Sequence, residues 1–236
     1  MTLRQSLKIA AQAARTNFLP GLLLQALMIL FFAAYTMHEG TRSFLVHVAE
    51  LKNQTGYVFS FCSYIIAAAV LPEILRMGFF HGGKIHRQNL WNILTGALIW
   101  GFFGIVVDMF YRLQGVLFGI ESTWTVIAAK MLVDQFLFSP LFGAPFAVGM
   151  LAWRDARFRP SALRSILTID FLLRRVLPVQ VAGWFIWIPG VCLIYFMPPL
   201  LEVPVAVLIQ IFWVLILTTV GERTARQRVA VECPVD

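Results

Sequence analysis

The sequence predicts an all-α, polytopic membrane protein: a bundle of about six transmembrane helices with both termini inside. Three observations carry this expectation. The chain has 236 residues, 59% of them hydrophobic and only 13% charged, with a mean hydropathy of +0.78. A soluble domain is nearer half apolar and a quarter charged. The apolar residues gather in runs close to the roughly 20 residues a helix needs to cross a bilayer. The basic residues fall mainly between alternate runs. Run length selects helices over a barrel, whose strands are shorter and alternate in polarity.

The elements follow in order. Residues 1–17 carry Arg4, Lys8 and Arg15 and no acid, which predicts an amphipathic segment at the membrane interface. A mitochondrial targeting helix is the alternative. Apolar runs follow at 19–37, 56–80, 90–107, 122–153, 176–201 and 203–221. The last two are separated by Pro198, Pro199, Glu202 and Pro204. Prolines disfavour a straight helix, so a tight hairpin around Glu202 is expected, with one broken helix as the alternative. Residues 18–221 thus form a single transmembrane domain, and 222–236 form a polar tail.

Lys and Arg set the orientation. Three lie in the N-terminal segment, three at Arg76, Lys84 and Arg87, six from Arg154 to Arg175, and three in the tail. The opposite side holds only Arg42, Lys52 and Arg112. The positive-inside rule places both termini inside. This pattern fits a bacterial cytoplasmic (inner) membrane, with the mitochondrial inner membrane as the alternative. The net charge of +7 is divided among short clusters between runs, which suits anionic headgroups on the inner face and not nucleic acid. The expected partners are therefore the lipid bilayer and further copies of the chain.

Glu73, Asp108, Lys130 and Asp134 lie within or at the edge of runs. A lone charge at mid-bilayer costs about 2.5–3.5 kcal/mol on insertion scales, so such groups face the interior and find partners. Lys130 and Asp134 are four apart and can pair on one helix face, with Gln135 beside them. Asp108 and Lys130 fall at similar depth, and a bridge between them is expected. Glu73 is expected near Arg76. Small residues recur at Ala97, Gly101 and Gly104 before Asp108, and Gln135, Ser139, Gly143 and Ala147 recur every four. These stripes predict that the third and fourth runs pack together around the polar groups. Pro140 and Pro145 should bend the fourth helix.

Other signals are weaker. Residues 78–85, GFFHGGKI, match phosphate-loop spacing up to the lysine, then place Ile85 where Ser or Thr should hold magnesium. His38, His47, His81 and His86 lack metal-ligand spacing, so no metal or other cofactor is expected. Cys62, Cys192 and Cys233 are too scattered for a disulfide framework. No nucleophile–base constellation is present, and the chain is not expected to be an enzyme.

Three stretches carry a family resemblance. Residues 101–113, GFFGIVVDMFYRL, resemble the Gly-x-x-Gly-Pro…Trp-Tyr segment of the Mpv-seventeen and twenty-two-kilodalton peroxisomal membrane protein family through Gly101, Gly104 and Tyr111. Residues 130–140, KMLVDQFLFSP, are similar to its Lys-x-x-x-Asp-Gln-x-x-x-x-Pro segment at Lys130, Asp134, Gln135 and Pro140. Residues 184–199 resemble its Trp-x-x-Trp-Pro ending at Trp184, Trp187 and Pro199, while Ile188, Val191, Ile194 and Val203 replace its polar positions and proline. The resemblance implies a small multi-pass helical protein, some of whose relatives are implicated as small-solute or ion channels. A channel-like conduit is therefore the expected function, with a non-conducting membrane scaffold or assembly factor as the alternative.

Overall fold

A computed structural model describes residues 18–80 and 83–214. The expected N-terminal segment, the polar tail and the end of the sixth run lie outside the described residues, as do His81 and Gly82.

Every regular element among the described residues is helical. In chain order they are α1 (Phe18–Met37), α2 (Glu39–Thr55), α3 (Tyr57–Gly78), α4 (Arg87–Phe118), α5 (Trp124–Asp155), α6 (Pro160–Ile166), α7 (Ile169–Phe196) and α8 (Pro199–Val214). Helices α3, α4, α5 and α7 are each long and apolar enough to cross a membrane. A fifth span results if α1 and α2, bent by 97° at their junction, are taken together. The chain is thus an all-helical protein with four to five apolar helices suited to a membrane.

Local chemistry sets the breaks. At the α1–α2 junction His38 is extended, and its ring accepts from Thr41 N at 3.1 Å, capping α2. Residues 39–55, read from sequence as a connecting loop, therefore form a helix that turns only its Leu45–Lys52 face inward. Gly56, at φ +57, ends α2 and lets α3 start at once. Helix α4 runs on well past residue 107, so Asp108 lies inside it and not at its end. The final break falls at residues 197–198. Glu202 is buried within α8, not at a hairpin turn.

Prolines accompany most of the widened turns. Segments of π-helix occupy Ile66–Val70, Arg76–Phe80, Asp134–Gly143 and Leu172–Val176. All but Arg76–Phe80 are followed within two residues by a proline: Pro72, Pro145 and Pro178. Pro140 lies inside the third segment. A proline gives no N–H and crowds the carbonyl one turn back. The wider π turn moves that carbonyl aside without ending the helix.

The described residues divide into two compact units: 18–32 with 114–199, and 33–80 and 83–113 with 200–214. In the first, α1 lies against α7. Its Gly21 brings the backbone close to the Phe185 ring, Phe18 stacks on that ring at 5.4 Å, and Gln25 Nε2 donates to Phe185 O at 2.9 Å. Also in the first unit, α5 and α7 run antiparallel: Trp184 Nε1 donates to Gln135 O at 2.9 Å, and Ser139 Oγ donates to Gln180 Oε1 at 3.0 Å. In the second unit α3 and α4 are antiparallel. A Cβ on Gly101 would lie 2.5 Å from the Phe61 ring, and one on Gly104 would lie 2.5 Å from Ser60 O. The small-residue face of the third run therefore receives α3. This corrects the expectation that it serves the fourth run, and the reason is steric: two bulky α3 rings, Phe61 and Tyr64, need the room those glycines leave.

Candidate functional site: two buried carboxylates with different surroundings

All five polar residues singled out from sequence are buried: Glu73, Asp108, Lys130, Asp134 and Gln135. The structure sorts them into three sites.

Asp108, on α4, is fully compensated within its own unit. It forms an ion pair with Lys52 of α2. Ser60 Oγ of α3 donates to Oδ2 at 2.5 Å, and Arg112, one turn along α4, donates to Oδ1 at 3.0 Å. Lys52 also donates to Ser60 Oγ at 3.1 Å, and the Arg112 guanidinium lies 4.9 Å from the centre of the Tyr57 ring. The bridge expected between Asp108 and Lys130 gives way to this arrangement, because both carboxylate oxygens are already taken by groups of the same unit. By sequence Lys52 and Arg112 count only among the few cations of the side opposite the termini. Arg112 was legible as the i+4 neighbour of Asp108; Lys52 carried no such signal.

Glu73, on α3, holds the start of α4. Its Oε1 accepts from Arg76 at 2.5 Å and from Asn92 Nδ2 at 3.0 Å, and its Oε2 accepts from Asn89 Nδ2 at 2.7 Å. Asn89 Oδ1 in turn accepts from His86 N at 2.9 Å. The glycine-rich stretch once compared with a phosphate loop therefore connects two helices clamped by one carboxylate.

Asp134, on α5, sits among neutral donors. Tyr195 of α7 donates its hydroxyl to Oδ2 at 2.5 Å, and Gln135 Nε2 donates to Oδ1 at 2.9 Å. Gln114, at the end of α4, donates through Nε2 to the Tyr195 hydroxyl. Lys130 Nζ lies 5.4 Å from the centre of the Tyr195 ring. The direct Lys130–Asp134 pair expected from their spacing is replaced by this tyrosine-centred arrangement. Asp134 is where the helix widens into its π segment, which changes the angle between side chains four apart. Two atoms at this site stand out: Gln114 Oε1 and Gln135 Oε1 are buried and accept no hydrogen bond.

The remaining motif residues are structural. Tyr111 is buried. Trp184 anchors α7 to the Gln135 carbonyl, Trp187 is half-buried, and Pro199 opens α8. Among the described residues no three His, Cys, Asp or Glu side chains group as a metal site. Gln114 and Tyr195 were missed from sequence, since an amide and a tyrosine in apolar runs look like ordinary filling. Comparison with family models, with curated proteins and with solved structures finds no match to this chain.

Proposed function

We propose that the protein is a membrane conduit for small solutes or ions, whose path passes the Asp134 network. The supporting observation is the pair of buried, unmet amide oxygens, Gln114 Oε1 and Gln135 Oε1, beside a buried carboxylate. A network that only fastens helices gains by satisfying every member; a half-satisfied one is costly and marks a site that handles something else. The resemblance of residues 130–140 to a family with members implicated as small-solute or ion channels supports the same reading. The described side chains of this site are buried.

The finer topology belongs to the same proposal: six spans, both termini inside, in a bacterial cytoplasmic membrane. Its support is the concentration of basic residues. Arg157, Arg159, Arg164, Arg174 and Arg175 are exposed around α6, where they would meet anionic headgroups.

A second reading has its own support. The Asp108 site is completely satisfied, as a structural lock should be. A non-conducting scaffold would use both sites that way. Recording from purified protein in planar bilayers separates the two. The conduit reading expects a conductance altered by Lys130→Ala or Asp134→Asn. Folded protein that stays silent under all ionic conditions, while retaining co-purifying partners, would leave the scaffold.

A further inference from the structure

The hydrogen bonds at Asp134 all point toward it. Tyr195 gives its single hydroxyl proton to Oδ2, and an ionised carboxylate has none to return. Gln114 must therefore meet the Tyr195 hydroxyl with its nitrogen, and Gln135 must meet Oδ1 with its nitrogen. The orientation of both amides follows from the carboxylate and is not a free choice between two look-alike ends. The cost is that both carbonyl oxygens are buried without a donor. An amide is planar and compact, so each of these oxygens lies within one hydrogen bond and one amide's width of the Tyr195–Asp134 pair.

We infer that Asp134, Gln135, Gln114 and Tyr195 form a binding site for one small monovalent cation, an alkali ion or ammonium, held by oxygen. Carboxylate, amide carbonyl and hydroxyl oxygens are the donor set of a hard cation. The site offers one carboxylate, which matches a single positive charge. This inference rests on reading the Asp134 network as a functional site, and it names what that site takes.

The test uses the full chain, purified in detergent. Its unfolding temperature is measured in sodium, potassium and ammonium chloride, and in N-methylglucamine chloride at the same ionic strength. At least one small cation should raise it by about 5 °C at saturation, with N-methylglucamine inert. Gln114→Leu and Gln135→Leu, each of which keeps Asp134, should lose the response or need at least ten times more cation; Asp134→Asn should abolish it. Equal unfolding temperatures in all four salts would overturn the inference and assign the two oxygens to water. An undiminished response in both glutamine variants would also overturn it, by placing the cation elsewhere. A cation response without conductance would leave this site standing and remove the conduit. Conductance without a cation response would do the reverse.

Discussion

Lys52 and Asp108 form a buried ion pair across fifty-six positions of chain, tying α2 to α4. The pair decides how α2 is held, since Lys52 and Leu45 are its only buried residues. Removing one partner of a buried pair costs about 3–5 kcal/mol where nothing else compensates the remaining charge; Ser60 and the half-exposed Arg112 stay with Asp108 and lower that figure. Lys52→Met should therefore lower the unfolding temperature. Lys52→Met with Asp108→Leu should recover much of the loss, because Arg112 is half exposed and can turn to water. A double variant no better than the single one would contradict the pairing.

The glycines of the third run make a steric prediction. A Cβ on Gly104 would meet Ser60 O at 2.5 Å and the Tyr64 side chain at 2.8 Å. Gly104→Ala should destabilise by about 1–3 kcal/mol through forced separation of α3 and α4. A Cβ on Gly143 would meet nothing closer than the Ser139 hydroxyl at 3.8 Å. Gly143→Ala should be neutral or stabilise by up to about 1 kcal/mol. Thermal unfolding of both variants in one detergent compares them directly.

Glu73 joins α3 to the first turns of α4 through Asn89 and Asn92. Glu73→Ala leaves the buried Asn89 amide without its acceptor, a loss of about 1–3 kcal/mol. Limited proteolysis between α3 and α4 should then quicken while cleavage elsewhere does not. Arg76→Ala should matter less, because Arg76 is partly exposed and surface-facing pairs contribute about 0–1 kcal/mol.

Tyr195→Phe keeps the ring beneath Lys130 and removes only the hydroxyl between Gln114 and Asp134. It should cost about 1–3 kcal/mol of stability, since a buried carboxylate oxygen and an amide N–H both lose a partner. On the conduit reading it should also change conductance. A variant equal to the original in both respects would place the hydroxyl outside the working site.

These sites show where sequence reasoning reaches and where it stops. The helical class was legible because burial in lipid demands long apolar runs, and the odd charges in those runs stood out for the same reason. Partners one turn away were legible, Arg76 for Glu73 and Arg112 for Asp108, but the distant ones were not. Lys52 sits in a polar stretch that looks like a loop, and only the 97° turn at His38 and the helix after it bring its face inward. Lys130 and Asp134 suggested a pair by spacing, but the π turn beginning at Asp134 and the hydroxyl of Tyr195, sixty-one positions away, decide the geometry. Glu202 looked like a turn residue among prolines, yet a proline at the first turn of α8 starts a helix as readily as it ends one.

The central claim is that the Asp134 network lies on a path reached by water and does not merely fasten helices. The most direct measurement is thiol accessibility at Gln135→Cys, with Cys62, Cys192 and Cys233 replaced, in intact membrane vesicles. Gln135 is buried, whereas Thr125, one exposed position near the start of α5, serves as Thr125→Cys control. The account predicts slow but complete labelling at position 135 by a membrane-impermeant reagent. Complete protection there, with full labelling at 125, would contradict it.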